Sequence, residues 1–404
     1  MRRALIITPI VLLLALALFY YQPWSSYSPA GMTKTFLEDE RVHHFRNMDA
    51  LYPAKNIPAS SKPVAWPEDK KELQVSYSFA NQTIPLADFL SKTNSTGLLV
   101  IKNGSIVSEQ YWQGETANSQ HTSWSVAKSY ISTLVGMAKE DGLIKDFNDP
   151  IKRYIPELEN KAYGQIAIVD ALQMSSGIGF SESYGASGSN TALAMSDAQK
   201  VFYGTYLFGK SINGLVAGYD KLEEPGTRWE YRSSDTQILG WLVESVYNKP
   251  LATLIAEKLW QPLGATTPAN WLVDGSSEQN AIAFCCLNAT LRDFARLGEL
   301  YRLGGLWNGQ QLLSKQWTID ATTPSAPHVQ PEAVRQFRGY QYQWWMPANH
   351  QREYFASGIW GQMIWVDEVR GVVIVRTAVD PNFQENMKES VTVMRAIAEA
   401  TTHY

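Results

Sequence analysis

An excess of charge of one sign is missing from this chain: 35 lysines and arginines stand against 39 aspartates and glutamates, a formal net charge of −4, with no polybasic run. A dedicated phosphate-binding face, and with it a nucleic-acid partner, is therefore not expected. Spaced cysteines are missing too. The two present, Cys285 and Cys286, are neighbours, too constrained for an ordinary structural crosslink, so no disulfide is expected to stabilise the fold. The six histidines form no His-Glu-x-x-His cluster, which argues against a zinc hydrolase and leaves no metal or organic cofactor to expect. Nor is there a Gly-x-Ser-x-Gly turn, the nucleophile elbow of α/β-hydrolases.

What is present is apolar. Hydrophobic residues make up 45% of the chain and aromatics 12%, against 18% charged, enough for a large core in one or two globular domains and unlike a disordered composition. Arg2 and Arg3 precede ALIITPIVLLLALALFYY, residues 4–21. That run nearly matches a bilayer in length, and the arginines before it with Tyr20, Tyr21 and Trp24 after it would keep residues 1–3 inside and send the rest outside. The expectation is a transmembrane signal-anchor at 4–21 on a single-pass membrane protein with its catalytic domain outside the cytoplasm. Secretion after cleavage following Ala30 is the alternative. Residues 22–84, with Pro53, Pro58, Pro63 and Pro67, read as an extended linker or arm, and 85–404 as one catalytic domain.

Within that domain GLLVIKNGSIVSEQYW, residues 97–112, sets two β-rich runs around Asn103-Gly104, a hairpin signature. Helical periodicity follows from SVAKSYISTLVGMAKEDGLI to RDFARLGELYRLG at 292–304. Strands return between 352 and 378, and ENMKESVTVMRAIAEAT closes the chain as an amphipathic helix. The order implies an α+β fold, an antiparallel sheet built from both chain ends, flanked by helices, with a mainly helical region inserted between. A cleft is expected where the inserted region meets the sheet.

One motif misleads. GTYLFGKS, residues 204–211, satisfies the phosphate-loop pattern letter for letter, but Tyr206, Leu207 and Phe208 crowd a loop that needs small residues, and the preceding segment has helical rather than strand character. No nucleotide is expected.

SWSVAKSY, residues 123–130, places Ser125 three residues before Lys128. On a helix these share a face with Cβ atoms about 5–6 Å apart, so a serine nucleophile and its base could meet there; alone, the spacing more often marks a capping serine and a solvated lysine. Corroboration lies downstream. PGTRWEYRSSDTQILGWLVE, at 225–244, presents Tyr231 and Ser233 before an apolar helix, and ASGIWGQMIW, at 356–365, carries Gly358 and Gly361 at a strand start. Together the three stretches resemble the three boxes of the serine β-lactamase and penicillin-binding-protein superfamily. The tyrosine box is similar to the Tyr-x-Asn form of class C β-lactamases, related esterases and 6-aminohexanoate-dimer hydrolases. MSSGIGF at 174–180, EKLWQPLGA at 257–265 and NATLRDFARLG at 288–298 are further landmarks, so the likeness covers roughly 85–400.

The resemblance implies a β-lactamase/transpeptidase-like fold and a hydrolase that cleaves a small ester or amide through an acyl-enzyme. Ser125 would be the nucleophile, Lys128 its base and Tyr231 a proton relay. The backbone N–H groups of Ser125 and Gln362 would form the oxyanion hole, with Gly361 allowing close approach of the strand. Two positions depart from the family. Ser233 replaces the asparagine of Tyr-x-Asn. Ile359, with Trp360, replaces the cation of the third box, so a carboxylate placed there would lose hydration without gaining a partner, which disfavours penicillins and D-alanyl peptides. Asn288 could line the cleft or cap the following helix; Tyr184 and Trp345 could be pocket walls or packing residues. A DD-peptidase or β-lactamase is the nearest alternative, and a non-hydrolysing acylated receptor the alternative from another class.

Overall fold

Asn103 and Gly104 both take positive φ, +49° and +82°, the left-handed pair that a two-residue hairpin turn requires. They join β1 (Ser95–Lys102) to β2 (Ser105–Tyr111). The computed structural model describes residues 2–22, 28–182, 195–335 and 337–403. From the far end of the chain come β3 (Arg338–Gln341), β4 (Trp344–Pro347), β5 (Glu353–Gly358), β6 (Gln362–Asp367) and β7 (Val372–Ala378). The seven form one antiparallel sheet in the order β3-β4-β5-β6-β7-β1-β2. Both chain ends therefore meet in one sheet, with Ile374 of β7 opposite Val100 of β1.

Four helices matter for the site: α1 (Ala127–Glu140), α2 (Ser233–Tyr247), α3 (Leu291–Arg302) and α4 (Met387–Ala400). Successive strand residues point to opposite faces, and both faces are covered. Leu99, Ile101, Ile364, Val366 and Val373 enter the core shared with α1 and α3; Leu98, Val100, Trp365, Val372 and Ile374 enter the core beneath α4. Each fully buried aliphatic side chain contributes about 1.5–3 kcal/mol, so the sheet is a rigid platform for whatever its β5–β6 end presents.

A second, four-stranded sheet joins Ala54–Ile57, Ala269–Leu272, Leu287–Ala289 and His121–Thr122, in that order. It brings the segment before residue 85 against the strand that leads into Ser125. The stretch 22–84 is thus only partly an extended arm: Pro29–Lys34 and Arg41–Arg46 are helical, and Phe45, Met48 and Tyr52 lie in the main core. Its prolines signal local extension, but the apolar side chains between them decide the packing.

Three expectations need correction or are answered here. Among the described residues no helix is long and apolar enough to cross a membrane, which overturns the single-pass anchor. The N-terminal helix Arg2–Tyr21 carries Pro9 inside it, where the missing N–H removes one bond of the helix ladder. Cys285 and Cys286, from which no stabilising disulfide was expected, are joined to each other; a bond between adjacent residues closes no chain loop, so its entropic contribution is slight. The phosphate-loop look-alike lies in the helix Asp197–Phe208, which ends on Gly209 at φ +61°. A helix C-terminus is the negative end of the dipole, the wrong end for a phosphate.

Glu115 and His121 meet beside this second sheet, both side chains wholly buried and 3.8 Å apart, with Arg46 the nearest charge acting on each. Burial pushes the Glu115 carboxyl up to about 8 and His121 down to about 4, so both are neutral at pH 7. A carboxyl raised on folding contributes stability that is complete below its unfolded value and is lost as pH rises through its folded one; His121 opposes this only below about 6.5. Between pH 6.5 and 8 Glu115 therefore acts without His121, and the buried carboxyls of Asp235 and Glu244, raised by burial to about 7, add a smaller loss over the lower part of that window. Chemical denaturation across that window should show wild-type stability falling with pH and Glu115→Gln losing less than half as much; parallel curves would contradict the assignment.

Candidate active site

Ser125 lies in a single 3-10 turn, Trp124–Val126, that runs straight into α1. The turn is entered through Trp124 at φ +44°, a left-handed value that costs a bulky residue energy and persists only where neighbours enforce it. Ser123 supplies part of that enforcement: its backbone N–H donates to Leu287 O at 2.8 Å, and its Oγ accepts from Leu287 N at 3.1 Å. β5 supplies the rest. A Cβ on Gly358 would lie 2.6 Å from Ser123 O and 3.1 Å from Ser125 N, so only glycine lets the strand end press against the nucleophile turn.

Lys128 is 1% exposed and its Nζ has three acceptors: Ser233 Oγ at 2.9 Å, Phe284 O at 2.8 Å and Ser125 Oγ at 3.5 Å. An ammonium has three donors, and all are used without a direct carboxylate contact. Burial lowers the lysine to about 8, against the upward pull of Glu182 and Asp235. The Tyr231 hydroxyl is hydrogen-bonded to Ser125 and is raised by burial and by Glu182, so it remains a phenol. Its ring stacks on Trp345 at 5.7 Å and 22°, which makes Trp345 a buried packing residue that also orients Tyr231.

Ser233 opens α2, and Glu182 closes the circuit there. The Ser233 hydroxyl donates to Glu182 Oε1 at 2.7 Å, and its backbone N–H donates to the same carboxylate. The helix N-terminus favours that negative charge. Glu182 escaped sequence reasoning because a carboxylate in a polar loop carries no signal by itself; only the helix end above it gives it a role. Asp235, also unforeseen, is fully buried and accepts from Ser176 Oγ at 2.6 Å and Tyr163 OH at 2.8 Å.

The third box has no cation of its own, but the Arg41 guanidinium lies over the Trp360 ring at 4.2 Å. Ile359 packs against the core, and Trp360, at φ +66°, stacks on Phe36. Gly361 takes φ +93°, a value that suits glycine alone. Gln362 opens β6 in register with Gly358, which brings its backbone beside Ser125; its side chain donates to Ala378 O at 2.7 Å and accepts from Ala378 N at 3.1 Å, leaving only its main chain for the cleft. Asn288 is not brought to the site. It is buried in the second sheet, bonded to Asn270, while Thr290 caps α3. Tyr184 lies outside the described residues.

A 410 Å³ cavity opens beside Tyr231 and Glu182, consistent with the expected cleft. The chain resembles known proteins at this level and beyond. The beta-lactamase family model matches residues 87–398. The 6-aminohexanoate-dimer hydrolase of Paenarthrobacter ureafaciens is 26% identical over 323 residues, 76% of this chain and 78% of that one. A solved Bacillus anthracis structure, named as a candidate 6-aminohexanoate-dimer hydrolase, superposes with a TM-score of 0.80 at 22% identity over 90% of this chain and 95% of its own. A class C beta-lactamase superposes at 0.52 and 13% identity, over 77% and 94%. With an antiparallel sheet from both chain ends and a family match over most of its length, the chain belongs to the beta-lactamase family, as a serine hydrolase with the β-lactamase/transpeptidase fold.

Proposed function

We propose that this hydrolase cleaves a short amide or ester through an acyl-enzyme at Ser125. The observation that carries the reading is the buried Lys128, within reach of Ser125 Oγ and held there by acceptors that need no charge from it. At neutral pH an amine near 8 is unprotonated for a minor but usable fraction of the time. In that form Nζ takes the Ser125 proton as Oγ attacks the substrate carbonyl carbon. The resulting oxyanion is held by the N–H groups of Ser125 and Gln362, donors worth on the order of 3–4 kcal/mol in such sites. As the tetrahedral centre collapses, Tyr231 gives its proton to the departing nitrogen or oxygen and is reprotonated from Lys128. Water, deprotonated in its turn, then releases the acid and restores Ser125.

The relative named for hydrolysis of a 6-aminohexanoate dimer, an aliphatic amide, supports amides within the substrate class. Ile359 argues against β-lactams and D-alanyl peptides, whose carboxylate would fall beside an apolar side chain.

Treatment with a fluorophosphonate should add one label to the wild-type protein and none to Ser125→Ala by intact mass; a label retained in the variant would refute the nucleophile. For a p-nitrophenyl ester, kcat/KM should rise with pH through an inflection near 8 as Lys128 loses its proton. Lys128→Ala should abolish that limb with most of the rate, and a flat profile from pH 6.5 to 9.5 would count against Lys128 as base. Tyr231→Phe should slow amide turnover about 100-fold or more, and by less for a p-nitrophenyl ester, whose leaving group needs no proton. Equal losses on both substrates would remove Tyr231 as the acid.

A further inference from the structure

Both backbone donors assigned to the oxyanion hole follow a tryptophan in a left-handed conformation. Trp124, at φ +44°, directly precedes Ser125, and Trp360, at φ +66°, stands two residues before Gln362. Because peptide units are planar, the dihedrals of Trp124 orient the unit that carries the Ser125 N–H, and those of Trp360, through Gly361, orient the one that carries the Gln362 N–H. For a bulky side chain such values persist only where the surroundings enforce them. The Leu287 and Gly358 contacts grip the backbone of the nucleophile turn; the two indoles are held from another part of the chain. Phe36, just after the helix Pro29–Lys34, stacks on both: its ring lies 5.7 Å and 29° from Trp124, and 6.1 Å and 22° from Trp360. Phe45 meets the same two indoles edge-on, at 5.2 and 6.0 Å. All four separations lie in the attractive range for aromatic pairs. Arg41 ties the group together, its guanidinium lying over the Trp360 ring at 4.2 Å and donating to Phe36 O at 3.1 Å.

One side chain from the N-terminal segment therefore touches both halves of the hole, the nucleophile turn and the entry to β6. The pairing of Gly358 with Gln362 sets how near the two donors lie; a shared ring stack sets how they are turned. We propose that Phe36 is a positioning residue for the oxyanion hole, holding Trp124 and Trp360 so that the Ser125 and Gln362 N–H groups converge on one point. This rests on acylation at Ser125 with those two donors. Phe36 touches no reacting atom, and its effect appears only where charge develops on the substrate oxygen. Acylation and deacylation both pass through a tetrahedral oxyanion, so a misaimed hole slows both steps and leaves KM almost unchanged.

In the full chain, Phe36→Leu keeps the apolar bulk and removes the stack, Phe36→Ala removes both, and Phe36→Tyr keeps both. With p-nitrophenyl butyrate, kcat should fall about tenfold in Phe36→Leu and further in Phe36→Ala, part of the roughly 10²–10³-fold that a whole lost donor costs, while KM stays within about twofold. Phe36→Tyr should keep most of the rate. The propyl trifluoromethyl ketone, whose adduct with Ser125 puts an oxyanion in the hole, should bind Phe36→Leu more weakly by the same factor as kcat falls, and the pH inflection near 8 set by Lys128 should not move. Fluorophosphonate labelling carried to completion counts the competent molecules. An unchanged kcat in Phe36→Leu, a change confined to KM, a fall in rate that only matches a fall in label, or a slowed variant that still binds the ketone as the wild type does overturns the positioning role. Failure of the underlying reading has a different signature: the ketone would not inhibit the wild type, or turnover would survive in Ser125→Ala.

Discussion

Everything in the site depends on keeping one ammonium-forming group dry. In the proposed mechanism Lys128 serves as a base only while its charged form is disfavoured, and burial provides that; a carboxylate in direct contact would undo it by pairing with the charge. The protein satisfies the three Nζ donors with two hydroxyls and a backbone carbonyl. It sets the nearest bonded carboxylate, Glu182, one hydroxyl further out, behind Ser233. Interposing Ser233 keeps the lysine positioned while weakening the charge that would hold its proton. An asparagine at 233 could offer Lys128 its carbonyl, but its amide could not combine acceptance from the lysine and donation to Glu182 in one atom. Serine in the second box is therefore coupled to the presence of Glu182.

The dry environment is a product of the fold as a whole. α1 is buried along almost its entire length, which is possible only because α2 lies against it on one side and the sheet on another. The strained turn at Trp124 is held from two directions, by Leu287 of the second sheet and by Gly358 at the end of β5. The second sheet begins with residues 54–57, so a segment distant in sequence helps to fix the geometry at Ser125.

The parts of this arrangement legible in the sequence are those with a local signature. Asn103-Gly104 announces its hairpin because few residue pairs accept two left-handed conformations, and β5, β6, β7 and α4 announce themselves through long runs of one periodicity. The three boxes are legible through their order along the chain. β3 and β4 were missed because their pattern is aromatic and short and ends on Pro347. The second sheet was missed because two of its strands span only two or three residues, too few for any period to show. The apolar run at 4–21 satisfied the compositional rules for a membrane anchor, and composition alone does not register whether the helix it forms is long and apolar enough to cross a bilayer. Glu182 and Asp235 were illegible for a simpler reason: charged residues in loops and at helix starts are ordinary, and only their three-dimensional neighbours set them apart.

The distribution of those charges follows a single logic. Around Ser125 the third-box side presents Ile359 and Trp360, with the Arg41 guanidinium 4.2 Å over the Trp360 ring, and the second-box side carries Glu182 at the cavity beside Tyr231. Tyr231 packs against the Trp229 and Trp345 rings on the second-box side. The same rings confine Tyr231 to one orientation, toward Ser125. The two groups proposed to handle the proton are thus held differently, a dry Lys128 by three hydrogen bonds and Tyr231 by stacked rings.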